Sequence, residues 1–148
     1  MDVYNTMEEF DMAVIAELIR EEETGALSFG NHELDAKTKK DGFNYNGDIY
    51  KIKTFKEITK LERNGMFVYE SVPGTTVHDF RATDKEVNLV VEGFEDSQVT
   101  LELEAEKEYK IHIDKVYVGK MKTNLGGKLN LSVELEPGKL VDILVQKM

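Results

Sequence analysis

The chain has 148 residues, of which 41% are apolar and 32% are charged, and this length and composition fit one domain or two small subdomains that share a core. It contains no cysteine, which excludes disulfides, a thiol nucleophile and cysteine-ligated metal clusters. The formal charge of −10 lies mostly on residues 1–23, which hold eight acidic residues and one arginine. Nucleic acids and anionic membranes attract clustered lysine and arginine, so neither is an expected partner.

The N-terminus and the apolar runs predict a cytoplasmic location. The opening stretch MDVYNTMEEFD is acidic, whereas a secretory signal begins basic and continues apolar. The longest apolar run, Met12 to Ala16, is too short to cross a membrane.

The first predicted element is a helix that ends near Arg20. It begins at the capping box Thr6 to Glu9, in which each side chain accepts a hydrogen bond from the other residue's amide. Apolar residues then recur at spacings of three and four, as on one face of a helix: Met7, Phe10, Val14 and Leu18. The glutamates after Arg20 would lie at the C-terminal end of the helix, where the negative end of the helix dipole disfavours acidic side chains. The helix therefore either ends before them, or they lie against a basic surface.

The stretch DGFNYNGD, residues 41–48, places acidic and amide side chains around a glycine, as in a calcium-binding loop. When Gly47 is aligned with the EF-hand glycine, the first position is Gly42 and the twelfth is Lys53, so both charged ligands are missing. Asn46-Gly47 instead predicts a two-residue type I′ turn, because both residues tolerate positive φ. We therefore predict a β-hairpin.

Residues 55–63 fit two structures. A second capping box at residues 54–57 and the spacing of Phe55, Ile58 and Leu61 favour a short helix, which we prefer. Alternation across residues 50–54 favours instead one long strand.

Asn64-Gly65 closes this segment, either as the C-terminal cap of the helix or as a second turn of the Asn-Gly type. A strand is predicted over residues 66–72, followed by a turn at Pro73-Gly74 and extended chain over residues 75–80.

From Glu86 onward the pattern alternates between apolar and polar residues, which predicts a small antiparallel β-sandwich with one buried and one solvated face per sheet. The apolar residues of the six predicted strands begin at Val87, Val99, Tyr109, Val116, Leu129 and Val141.

Residues 109–147 resemble small immunoglobulin-like or PEGA-like accessory sandwiches of bacterial proteins. The similarity consists of a strand that ends in Asp114, a short valine-rich strand with Gly119, and a closing strand over Val141 to Val145 after Pro137-Gly138. It covers about a quarter of the chain. Such modules bind or space other parts of a protein, so the resemblance implies a function without catalysis. Residues 1–80 resemble no family.

His78 is the best candidate for the histidine of a small hydrolase, because Asp79 and two threonines lie beside it. Neighbours on a strand point to opposite faces, however, so His78 and Asp79 do not form an orienting pair. His112 alternates with isoleucines, which predicts a solvated histidine. The histidines, which include His32, lack metal-ligand spacing. We predict no catalytic residue, metal or cofactor.

Two further features favour a carbohydrate- or calcium-binding module as an alternative. Glu92, Glu95 and Asp96 lie at a strand connection, where sandwich domains can bind calcium, although acidic turn residues are also ordinary. Carbohydrate binding uses exposed aromatic side chains, and the candidates for exposure are Tyr45, Tyr69 and Tyr117.

Residues 115–128 carry four lysines and no acidic residue: Lys115, Lys120, Lys122 and Lys128. We predict that this basic hairpin faces the acidic first helix, either within one chain or across a homodimer. In the alternative both are solvated independently, since isolated surface ion pairs contribute about 0–1 kcal/mol.

The sequence as a whole predicts an α+β protein with a helix-and-hairpin subdomain over residues 1–80 and an antiparallel sandwich over residues 81–148. The expected function is non-catalytic recognition of a protein partner, or self-association, through a sheet face or edge. The expected binding residues are the three tyrosines and four lysines just named. A hydrolase that uses His78 is the second alternative.

Overall fold

Thirteen β-strands make up the regular structure of residues 15–148, the part of the chain that the computed structural model describes. They are β1 (Ile19–Glu21), β2 (Leu27–Phe29), β3 (Thr38–Tyr45), β4 (Asp48–Phe55), β5 (Ile58–Arg63), β6 (Met66–Val72), β7 (Thr76–Ala82), β8 (Glu86–Glu92), β9 (Ser97–Glu102), β10 (Glu108–Ile113), β11 (Val116–Lys122), β12 (Lys128–Val133) and β13 (Val141–Lys147).

The strands form two antiparallel sheets. Sheet A has the order β1-β2-β7-β8-β13-β10-β11, and sheet B has the order β12-β9-β6-β5-β4-β3. Strands from both predicted subdomains, residues 1–80 and 81–148, contribute to each sheet. The six strands predicted from Glu86 onward are confirmed as β8 to β13.

The hydrophobic core lies between the sheets and follows from the period of two along each strand. In β8, for example, Val87, Leu89 and Val91 are buried while the residues between them are less so. The ring of Phe29 on β2 lies edge-on to Tyr69 of the opposite sheet and to Phe80, with centroids 5.3 and 5.7 Å apart.

Buried hydroxyl groups form a hydrogen-bonded chain at one end of this core. Thr54 Oγ1 lies 2.8 Å from Thr59 Oγ1, and Thr59 donates to the carbonyl of Thr75 over 2.7 Å. Thr75 Oγ1 lies 2.7 Å from both the hydroxyl of Tyr69 and Oγ of Ser71. Because all five side chains are fully buried, each of these groups depends on the others for its hydrogen bonds.

Asn-Gly pairs make two of the hairpin turns: the predicted one at Asn46-Gly47, and one at Asn64-Gly65, where the sequence allowed either a turn or a helix cap. At Asn46-Gly47 the φ angles are 50° and 83°, and Tyr45 pairs with Asp48 across the turn between β3 and β4. At Asn64-Gly65 the φ angles are 51° and 78°, and Arg63 pairs with Met66. The acidic stretch at residues 41–48 is therefore one arm and the turn of a hairpin.

The short helix preferred for residues 55–63 is wrong. Phe55 pairs with Ile58 across a turn at residues 56–57, so this segment is the β4–β5 hairpin. The one long strand offered as the alternative is also interrupted by that turn.

The predicted helix over residues 7–20 is wrong for residues 15–20, the part of it that the structure describes. Leu18 has a φ of 73°, its amide donates to the Ile15 carbonyl in a turn, and β1 begins at Ile19. The capping box at Thr6 to Glu9 lies outside the described residues. Residues 15–148 contain no helix, so the predicted α+β class is replaced by an all-β fold, whereas the predicted sandwich of antiparallel strands is present.

Among residues 15–148 there is no helix with the length and apolar character needed to cross a membrane.

Candidate functional site

The strand β11 forms one edge of sheet A and is the most exposed apolar strand among the described residues. It pairs with β10 on one side, and no other strand of residues 15–148 pairs with its outer side. All of its residues are exposed except Gly119, which is half-buried. We call this strand, Val116–Lys122, the β11 edge.

The turn between β10 and β11 is held in place by hydrogen bonds to β13. Asp114 and Lys115 have φ angles of 50° and 67°, which makes a two-residue turn of the type I′ kind between β10 and β11. The Asp114 amide donates to the Asp142 carbonyl over 2.8 Å, and Asp114 Oδ1 accepts from the Asp142 amide over 3.0 Å. The turn is therefore tied to β13.

Apolar side chains project from the β11 edge on both faces of the sheet. Their exposed fractions are 62% for Val116, 54% for Tyr117, 56% for Val118 and 39% for Met121. Val116 and Met121 lie opposite Ile113 and Tyr109 on the inner face, whereas Tyr117 lies opposite His112 on the outer face. A register shift between Ile111 and His112 places Val118 in a β-bulge.

The other sheet edges are protected in ways that natural proteins commonly use. The β3 edge carries Lys39 and Lys40 and is bulged before Phe43, and β1 is only three residues long. The β12 edge alternates buried apolar residues with Lys128, Asn130 and Ser132. The β11 edge therefore differs from the other edges in its exposed apolar side chains.

The four predicted lysines lie in or beside the β11 edge but differ in their contacts. Lys115 and Lys122 are exposed, and Lys120 lies 3.5 Å from Glu108 on β10. Lys128 pairs with Glu102, and its Nζ lies 4.4 Å from the centroid of the Phe67 ring. Lys128 thus belongs to sheet B, and the other three lysines surround the exposed valines.

The three predicted tyrosines occupy different environments. Tyr117 is exposed on the β11 edge, and its ring lies 5.5 Å from that of the half-buried His112. Tyr45 is half-buried and donates a hydrogen bond to the Gly25 carbonyl. Tyr69 is fully buried, and this burial raises the pKa of its hydroxyl to about 12. Only Tyr117 therefore lies on the surface as a contact residue.

The acidic residues 17–23 and the basic hairpin lie at opposite ends of sheet A. β1, which contains Arg20 and Glu21, is one edge strand, and β11 is the other. Glu22 contacts Arg20 at 3.1 Å and Ser28 at 2.5 Å. The described part of the acidic segment therefore makes no contact with the basic hairpin within one chain, and residues 1–14 lie outside the described residues.

Sequence reasoning missed the partners of His78, on β7, and of His32, in the loop after β2. His78 Nε2 lies 2.7 Å from a carboxylate oxygen of the buried Glu92, which is on the neighbouring strand β8. His32 is buried, and its Nδ1 lies 2.6 Å from Thr76 Oγ1. Cross-strand register brings Thr76 opposite Glu92, a pairing that the linear spacing of these residues does not reveal.

The acidic connection between β8 and β9 directs its carboxylates to separate partners. Glu92 contacts His78, and Asp96 Oδ1 accepts a hydrogen bond from the Leu135 amide over 3.0 Å. Glu95 is exposed. In residues 15–148 no group of three or more histidine, aspartate or glutamate side chains is arranged to hold a metal ion.

A cleft of about 650 Å³ lies between the two sheets at one end of the sandwich. Tyr45, Tyr50 and Tyr109 line it, and the pair Lys147 and Glu104, 2.7 Å apart, lies at its margin. A space of this size accommodates a small molecule. The carbohydrate alternative stays a prediction.

Burial of His32 makes the stability of the fold depend on pH. Burial lowers the pKa of His32, and the nearby carboxylates of Glu92 and Glu33 oppose this only in part. The unfolded chain therefore binds a proton more readily, so this contribution to stability is complete above about pH 6.5 and is lost as the pH falls toward the folded pKa.

We therefore expect the free energy of unfolding to fall more steeply from pH 7 to pH 5 in the wild type than in His32→Gln. Urea unfolding at a series of pH values measures both slopes. Equal slopes in the two proteins would show that His32 is not the responsible group.

Residues 15–148 thus form an all-β sandwich of two antiparallel sheets, and the β11 edge is its exposed apolar edge. No protein-family model, curated protein or solved structure matches the chain. The likeness of residues 109–147 to accessory sandwich modules stays a sequence resemblance.

Proposed function

We propose that this chain is a non-catalytic recognition module that binds an extended segment of another protein along the β11 edge. The observation that carries the proposal is the exposure of Val116, Tyr117 and Val118 on a seven-residue edge strand. In strand addition, the main-chain groups of the edge provide the hydrogen bonds, and side chains on alternate positions provide specificity.

The side chains around the β11 edge define the chemistry of the partner. The exposed valines and Met121 favour apolar residues in the added strand. Lys115, Lys120 and Lys122 favour acidic residues beside them, because opposite charges across strands stabilise pairing and like charges oppose it. The partner segment is therefore expected to combine apolar and acidic residues.

The same charges argue against a second copy of this chain as the main occupant. Pairing two β11 edges would bring two sets of lysines together, whereas an acidic segment would neutralise one set. A homodimer formed through this edge would also be a case of strand addition. Sedimentation of the purified chain without any peptide measures whether such a dimer forms.

Selection from a displayed library of random twelve-residue peptides tests the proposal. Enriched peptides are expected to alternate apolar residues with aspartate or glutamate. The double variant Val116→Glu/Val118→Glu is expected to bind them at least about tenfold more weakly, since it adds repulsive charge to exposed positions without disturbing the core.

The matched control is Asn130→Glu/Ser132→Glu, which adds the same charge to exposed positions of the β12 edge. This variant is expected to bind the selected peptides as the wild type does. A library that yields no enriched peptide, or peptides whose binding is lost equally in both double variants, would contradict the proposal.

A further inference from the structure

Three lysines lie directly opposite one another across neighbouring strands on the outer face of sheet B. Lys39 of β3 pairs in register with Lys53 of β4, and Lys53 pairs with Lys60 of β5. Neighbouring strands are about 4.8 Å apart, so three positive side chains stand side by side within about 10 Å. We call these residues the lysine row.

This arrangement is unfavourable in the free protein. Like charges directly opposite each other destabilise a sheet. The chain has 29 acidic residues against 19 basic ones, yet none of the three lysines forms an ion pair with a described residue. Other lysines of the same chain, such as Lys120 and Lys147, do have carboxylate partners.

The surroundings of the lysine row leave it with surplus positive charge. Lys51 lies on the same face of β4, and together with Glu62 it lines a shallow depression of about 50 Å³ formed with the row. The other nearby carboxylate is Glu70, which lies opposite Lys60 on β6. Among residues 15–148, two glutamates therefore face the four lysines that line this depression.

The pKa of Lys53, the central residue of the row, is affected by the neighbouring charges. Partial burial lowers the pKa of Lys53, and the positive charges of Lys37, Lys60 and Lys39 lower it further, with Glu62 opposing. An anion bound beside Lys53 would reduce the electrostatic repulsion between Lys53 and the three neighbouring lysines.

We propose that the lysine row is a binding site for a short oligophosphate, either free or as the phosphate chain of a larger molecule. The spacing of negative charges in the ligand distinguishes an oligophosphate from an acidic peptide. An extended acidic peptide presents one carboxylate on a given face about every 7 Å, which is wider than the strand spacing of about 4.8 Å. Linked phosphoryl groups carry several negative oxygens within that distance and suit lysine, which binds phosphate as a point charge.

The site is suited to a short anion rather than to a nucleic acid. A long phosphate backbone requires an extended basic surface, whereas Glu62 and Glu70 flank the row and the chain has a net charge of −10.

Calorimetric titration with inorganic tripolyphosphate at low ionic strength tests the inference. We expect saturable binding to the wild type that is at least about tenfold weaker in Lys53→Gln and in Lys60→Gln. Lys139→Gln, at an exposed position remote in sequence, is the matched control and is expected to bind as the wild type does.

Thermal unfolding without ligand separates loss of the site from loss of the fold. Since Lys53→Gln removes like-charge repulsion, its melting temperature is expected to equal or exceed that of the wild type while its binding is lost. Equal binding of tripolyphosphate and of a nucleoside triphosphate would assign recognition to the phosphates alone, and tighter binding of the latter would add contacts to the nucleoside. Either result supports the site.

Four results would overturn the inference: no saturable binding of tripolyphosphate, binding unchanged by Lys53→Gln, citrate bound as tightly as tripolyphosphate, or a single-stranded oligonucleotide bound more tightly through the same lysines.

Discussion

Phe29→Ala is expected to lower the free energy of unfolding by about 3–5 kcal/mol, the range found for aromatic residues truncated in well-packed cores. Phe29 is fully buried, and its ring contacts Tyr69 of the opposite sheet and Phe80 of its own. Truncation removes apolar contacts on both sides and leaves a cavity between the sheets. Urea unfolding followed by tyrosine fluorescence measures the loss.

The matched control for this substitution is Phe94→Ala. About half of the Phe94 side chain is exposed, and its ring touches His32 with a centroid distance of 4.6 Å. A loss below about 1 kcal/mol is expected there. If both variants lost the same stability, Phe29 would not occupy the inter-sheet core.

Thr75→Val is expected to have the second largest effect, although it changes the side-chain volume little. Thr75 Oγ1 lies 2.7 Å from both the Tyr69 hydroxyl and Ser71 Oγ in a fully buried setting. Valine would leave these two groups without that partner, at a cost of about 1–3 kcal/mol for each buried polar group left unsatisfied. Equilibrium unfolding of the variant gives the total.

A double-mutant cycle checks that the effect arises from the hydroxyl chain. Adding Tyr69→Phe to Thr75→Val should cost less than the sum of the two single changes, since both remove the same hydrogen bond. Thr24→Val, at an exposed position, is the control and is expected to change stability by no more than about 0.5 kcal/mol. Strict additivity would indicate that the two hydroxyls do not interact.

The hydroxyl chain also explains why the sequence predicted a helix at residues 55–63. The inward positions next to the β4–β5 turn are Thr54 and Thr59, which are fully buried and bonded to each other. Because these polar residues occupy core positions, they interrupt the apolar alternation that marks a strand. The remaining apolar residues, Phe55, Ile58 and Leu61, then have helical spacing by coincidence.

The N-terminal helix prediction failed for a related reason. Ile15 and Ile19 are both buried, and a separation of four residues fits one face of a helix. In the fold a turn from Ile15 to Leu18 separates them instead, and the positive φ of Leu18 is incompatible with a helix. The periodicity of the sequence correctly indicated that both residues are buried, but it predicted the wrong backbone conformation.

The Asn46-Gly47 turn and the strands from Glu86 onward were predicted correctly, and Asn64-Gly65 forms the turn that was left as an alternative to a helix cap. The Asn46-Gly47 and Asn64-Gly65 turns need positive φ at both positions, and few other residue pairs allow it. The strands after Glu86 other than β11 alternate regularly because each has one buried face, whereas β11 is exposed almost throughout. Strand order, by contrast, depends on contacts between distant residues, so the sequence did not reveal which strands form edges.

The candidate site was predictable in its charges and in the exposure of Tyr117. The lysines near β11 are visible in the sequence, whereas the exposure of Val116 and Val118 becomes visible only when β11 is known to be an edge. The pairs His78–Glu92 and Lys39–Lys53 likewise arise from cross-strand register, which linear spacing does not show.

Amide hydrogen exchange, measured with and without a selected peptide, tests recognition through the β11 edge most directly. Strand addition requires slower exchange within residues 116–122 on binding, with the other edge strands, residues 19–21, 38–45 and 128–133, unchanged. Unchanged exchange at residues 116–122 together with protection at one of the other edges would contradict it.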